Sequence, residues 1–275
     1  MPDFGIVGLL ILLATFLASY QGFKNPDYYD RYLFRVGDIR YGRQYYRLFT
    51  SGFLHTGWWH LLLNALTFYY FSSSVEYVVG FGNFLLIYVV SLVGGNLFSL
   101  FLHRHDADYS AVGASGAISG LVFASIMLYP GMNVGLLGIM MPGWLYGLLY
   151  VVVSAIGITK RRDNIGHDAH LAGGLVGLLT VVAMQPELLR TNYIALAAIL
   201  VPALGFFYLL FSKPEGLLLG NFFSSEPAYQ TVDDRYKIQQ KRQEDDLDHL
   251  LDKISQKGID SLSEREKRQL EKLSR

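Results

Sequence analysis

The chain has no cysteine, which excludes disulfides, thiolate metal sites and a cysteine nucleophile while leaving its redox compartment unspecified. Charge is scarce, at 17% of 275 residues, and sums to zero. No basic field is therefore available to recruit nucleic acid, and no nucleic-acid partner is expected. An H-E-x-x-H zinc helix is also missing, and no cofactor is implied. The apolar stretch from Phe4 to Tyr20 lacks the basic start and the A-x-A exit of a signal peptide, so it is expected to be a retained span.

What remains is apolar, with a mean hydropathy of +0.28. Such a composition predicts several membrane segments rather than one soluble core. Runs at about 4–20, 58–79, 84–102, 111–129, 143–158, 168–184 and 193–211 approach the roughly 20 residues that a helix needs to cross about 30 Å of hydrocarbon. The expected fold is an all-α polytopic membrane protein with a transmembrane domain over 1–212 and a lipid bilayer as its surroundings. The long connection between the first two runs carries Lys24, Arg31, Arg35, Arg40, Arg43 and Arg47, and connections of that length are often functional. The apolar run from Pro130 to Met141 is too short to cross and is expected at the interface, with Pro142 in a first helical turn. Pro202 is expected to kink the last span.

Residues 213–275 form a charged, soluble tail. Leu247, Leu250, Leu251 and Ile254 recur at helical spacing, Gly258 suits a helix stop, and Ser263 with Glu266 matches a capping box. A small helical hairpin is expected, and the sequence does not specify a partner for it.

Three polar insertions stand out from the apolar runs. His60 and Asn64 open the second, Ser115 the fourth and His170 the sixth. Each of these runs follows an odd number of crossings, so all three start at the same membrane face and their polar residues share one shallow level. Polar and ionisable groups in hydrocarbon are costly and usually face a bundle interior. Four on one level suggest a site. His60 and Asn64, spaced i,i+4, share a helix face. Gly116 with Gly120, and Gly173 with Gly177, have the small-xxx-small spacing that lets helices approach closely. Ser115 and His170 would then meet as nucleophile and general base. Gly113 permits a tight turn before the serine, and the helix start behind Ser115, with His60 and Asn64, would stabilise an oxyanion. Asp168, two residues from His170, is expected to cap its helix and not to complete a triad. His55, His103, His105, His167 and His249 are expected to be interfacial.

These residues resemble the rhomboid family of intramembrane serine proteases over roughly Tyr46 to Met184. His60-Leu61-Leu62-Leu63-Asn64 matches its HxxxN pattern, Gly113-Ala114-Ser115-Gly116 its GxSG and Ala169-His170-Leu171-Ala172-Gly173 its AHxxG. The resemblance implies a six-helix core, here with a seventh helix, located as a multi-pass protein of the cell membrane. It further implies cleavage of transmembrane protein substrates near small, helix-destabilising residues by a Ser115–His170 dyad. Glu76 with Gly80 resembles the family's E-x-x-x-G, and Tyr46-Arg47 stands where it has Trp-Arg; both would be structural. Ser119 occupies a position where many relatives carry an aromatic against the catalytic histidine, so either another side chain orients His170 or the histidine is held less firmly. The alternatives are a non-catalytic rhomboid-like protein that binds membrane clients, and a metal-dependent membrane protein using His167 and His170 with His103, His105 and Asp106.

Overall fold

The computed structural model of the chain describes residues 5–136, 139–160 and 165–212, and beyond them Lys253, Ile254, Ser263, Glu266 and Leu270. The chain divides into two compact units, Met1–Ser225 and Glu226–Arg275. In the first, α1 (Ile6–Lys24) leads into a loop built from α2 (Pro26–Tyr32), strand β1 (Phe34–Arg35), α3 (Val36–Arg40), α4 (Arg47–Thr50) and a 3-10 turn at Ser51–Phe53. The long α5 (Trp58–Leu102) is two apolar helices joined at Gly80, whose φ of +78° breaks the helical path. Only glycine takes that backbone without a Cβ clash. The expected second and third spans therefore meet at a single-residue kink.

Strand β2 (Ser110–Ala111) precedes α6 (Ser115–Leu128). The fourth apolar run was expected to be helical from Ala111, but Ala111 and Ser110 pair antiparallel with Phe34 and Arg35. Their backbone is committed to that ladder, so the helix starts at Ser115. The glycine-rich run after Pro130 is a hairpin of β3 (Asn133–Leu136) and β4 (Ile139–Pro142), with Asn133 opposite Pro142. Pro142 thus ends a strand instead of entering a helical turn, a strand-end position that tolerates its missing N–H. Next come α7 (Gly143–Lys160), α8 (His167–Met184), α9 (Leu188–Thr191) and α10 (Tyr193–Ser212), which continues through Pro202.

The core is centred on α6, where every residue from Gly116 to Met127 is buried. It packs mainly against α8 and α5. By contrast α1 and α10 present Leu9, Leu10, Leu13, Val201, Leu204 and Tyr208 outward, as apolar helices facing lipid do. Among the described residues four helices, α1, α5, α8 and α10, are long and apolar enough to cross a membrane, and α6 and α7 are shorter apolar helices. This is a polytopic helical membrane protein.

In the second unit the Ser263–Glu266 capping box is formed. The Glu266 N–H donates to Ser263 Oγ at 3.3 Å, and the Ser263 N–H donates to Glu266 Oε2 at 2.7 Å. Lys253, at 2.6 Å, is the largest influence holding the Glu266 carboxyl down at about 2. Phe4, Arg161, Arg162, Leu247, Leu250, Leu251 and Gly258, with the rest of the expected hairpin, lie outside the described residues.

Candidate active site

Ser115 is the first residue of α6, and the first loop clamps the chain that leads to it. The Gly113 N–H donates to the Ser51 carbonyl at 3.0 Å, just after the β1–β2 pairing. Gly113 has φ +135°, and a Cβ there would lie 3.0 Å from Cε1 of His60 and 3.3 Å from Oγ of Ser115. Glycine suits that backbone and leaves room beside it for both the imidazole and the hydroxyl. As an N-terminal residue Ser115 is followed by amides with no acceptor inside the helix, at the positive end of its dipole.

His170, in the first turn of α8, places Nε2 at 2.5 Å from Ser115 Oγ. With the ring carrying its proton on Nδ1, the serine hydroxyl donates to Nε2. The cause lies one and two turns deeper. A Cβ at Gly173 would collide with the Gly116 carbonyl, one at Gly177 with the Gly120 backbone, and one at Gly120 with the Ser91 side chain of α5. Three helices thus meet at backbone distance through the glycines whose spacing marked them. The ring beside His170 is His167, with centroids 6.0 Å apart and planes at 66°; Gly157 on α7 leaves room for it.

His60 lies three residues into α5, with Nδ1 3.1 Å from Thr56 Oγ1 and its imidazole against Gly113. Asn64 sits one turn deeper. Its amide donates to the His60 carbonyl at 2.9 Å, and its side chain lines an apolar cavity of about 210 Å3 with Leu61, Ala114 and Ile118. His60 and Asn64 share a face as expected, and the His60 imidazole lies beside Gly113.

Several other polar residues have roles that sequence reasoning missed. His55 is 0% exposed, not interfacial. Its Nδ1 is 2.9 Å from Ser19 Oγ, whose hydroxyl donates to the Phe53 carbonyl at 2.9 Å, and its ring stands edge-on to His60 at 4.8 Å. Burial, and then the neighbouring His60, hold its imidazole down at about 3. Asp168 does not cap α8, because the cap position is Gly166. It is buried, and it accepts a hydrogen bond from Ser99 Oγ at 2.6 Å and lies 3.2 Å from His103 Nε2, tying α8 to the end of α5. His103 in turn stacks on Tyr109 at 3.5 Å. Interhelical partners of this kind have no signature in local spacing.

The structural residues are also placed. Arg47 is 4% exposed and fastens the first loop by donating to the Asp30 and Leu33 carbonyls at 2.6 and 2.7 Å and to Gln44 at 2.8 Å, with Asp38 at 3.0 Å. Glu76 brings its carboxylate against Gly5, at the positive start of α1. Among the described residues no group of three or more His, Asp or Glu is disposed to hold a metal ion.

A family model described as the rhomboid domain matches residues 42–187, and one described as a family of unknown function (DUF6576) matches residues 230–275. The chain is 34% identical over 134 residues to Rhomboid protein 1, mitochondrial, of Saccharomyces cerevisiae, a match covering 47% of this chain and 39% of that protein. It is 32% identical over 147 residues to the putative rhomboid protease YdcA of Bacillus subtilis, covering 52% of this chain and 70% of that protein. Rhomboid protease GluP of the same organism is 27% identical over 205 residues, covering 74% of this chain and 39% of that protein. This chain thus spans well under two thirds of the length of some curated relatives.

Proposed function

The chain belongs to the rhomboid family, and from that premise we propose that it is an intramembrane serine endopeptidase working through a Ser115–His170 dyad. The observation that carries the reading is the 2.5 Å contact of Ser115 Oγ with His170 Nε2, between residues 55 apart in sequence and both at helix starts. A serine hydroxyl is a weak nucleophile until an adjacent base takes its proton. As Oγ attacks the scissile carbonyl carbon, that proton passes to Nε2, and the carbonyl oxygen becomes an oxyanion stabilised by the free amides of α6 and the side chains of His60 and Asn64. Collapse breaks the C–N bond, and the leaving amine takes the proton from His170. Water then attacks the acyl-enzyme, His170 accepts its proton, and the carboxylic product departs as Ser115 regains hydrogen.

The substrates proposed are transmembrane protein segments, cleaved near small residues that loosen a helix. The membrane is taken as the cell membrane; relatives from yeast and Arabidopsis thaliana named as mitochondrial mark the alternative that cell fractionation decides. The test is cleavage of a reconstituted transmembrane substrate by purified protein. Ser115→Ala and His170→Ala each lower turnover by about 10³-fold or more, with expression intact. Undiminished cleavage by Ser115→Ala rules out the serine mechanism.

A further inference from the structure

Ser119 lies one helical turn beyond Ser115 and is 1% exposed. Its Oγ donates to the Ser115 carbonyl at 2.7 Å, which uses its only proton. The Tyr150 hydroxyl lies 2.5 Å from the same oxygen, so Tyr150 is the donor in that contact. The result is a directed chain from Tyr150 O–H to Ser119 O–H to the Ser115 carbonyl. Tyr150 belongs to α7, and its ring stands edge-on to Phe123 of α6 at 5.4 Å. Phe123 in turn packs where a Cβ on Gly174 of α8 would need to be. Apart from this region α7 packs more on α10 and α8 than on α6.

We propose that Tyr150 is a positioning residue for the nucleophile, acting through Ser119 to hold the first turn of α6 in register with His170. This rests on the reading of Ser115 as the nucleophile. Consecutive hydrogen bonds in a low-dielectric interior strengthen one another, and this pair ends on the backbone of the nucleophilic residue itself. A displacement of about 1 Å at a reacting atom can cost about 10²-fold in rate. A small serine at 119 is what links the tyrosine hydroxyl of a different helix to that backbone; a bulky side chain there would occupy the tyrosine's place.

The test compares Tyr150→Phe, Ser119→Ala, the double variant and Ser119→Thr. It reads kcat and KM on a transmembrane substrate and the rate at which a fluorophosphonate labels the serine. Tyr150→Phe keeps the ring and the packing, and it lowers kcat and the labelling rate by about tenfold, the size of one lost buried hydrogen bond, with KM unchanged. The double variant is no slower than Ser119→Ala, because the two residues act in one chain, and Ser119→Thr, which keeps the hydroxyl, restores labelling. Wild-type labelling in Tyr150→Phe, or losses that multiply in the double variant, overturn the positioning role. Ser115→Ala run alongside separates the two readings, since labelling that survives it overturns the nucleophile assignment instead.

Discussion

The three helices that meet at the candidate site and the helices around them are built by opposite means. Between α6, α8 and the second half of α5 glycines bring the helices to backbone distance, and 56% of the apolar stretch of α8 is buried. In α1 and α10 the corresponding shares are 28% and 22%, and the side chains are large and turned outward. In lipid there is little hydrophobic gain from bringing helices together, so close backbone packing and interhelical hydrogen bonds decide which helices are held rigidly. The site's 2.5 Å contact lies at the mouth of the glycine-packed trio, where a shift of one helix is resisted by backbone against backbone. The peripheral helices bear no such constraint.

Substitutions can break that contrast. The largest effect is expected from Gly177→Val, whose side chain has to displace the Gly120 backbone. Overpacking in a tight core costs about 1–3 kcal/mol or more, and here the strain falls two turns below His170. Cleavage is abolished and the melting temperature in detergent drops. A variant with full activity would mean that the glycine contacts do not set the site. His60→Ala comes next, with kcat lowered about 10²-fold and KM little changed, as for a donor to the oxyanion; steady-state kinetics giving a change in KM alone would remove it from that role.

A subtler difference lies in His55, which stands against His60. The unfolded chain protonates this ring near its ordinary 6.5, whereas the folded protein resists until about 3. Its contribution to stability is therefore complete above about 6.5 and is lost progressively as the pH falls toward 3, amounting to about 2 kcal/mol by pH 5. Melting curves at pH 7 and 5 read this as a steeper acid loss in the wild type than in His55→Gln; equal losses would exclude His55 as the source. The smallest effect belongs to the periphery. Leu204 is 61% exposed, and Leu204→Ala changes stability by less than about 0.5 kcal/mol and leaves cleavage intact, so a marked loss in either assay would show that α10 is held as tightly as the trio.

Much of this contrast was legible before any coordinates. The spacing of Gly116 with Gly120 and of Gly173 with Gly177 named the faces that touch, and counting crossings put Ser115, His60 and His170 at one level. What spacing could not show was where other polar groups go. Asp168 looked like a cap and instead joins Ser99 and His103 across helices. Ser119 looked like a gap left by a missing aromatic, and Tyr150 of α7 reaches it. Ala111 looked like the start of a helix, and its backbone instead pairs with Phe34 in β1.

The sequence by itself determined the number of apolar segments, the serine and histidine on a shared membrane level, and the glycine stripes, because these depend on composition and on the 3.6-residue period of one helix. Only the tertiary structure decided which side chains meet between helices. Segments that are apolar around their whole circumference carry almost no signal of which way they face, so the rotation of α7 that brings Tyr150 onto Ser119 is set by packing against its neighbours and is not written in α7 alone.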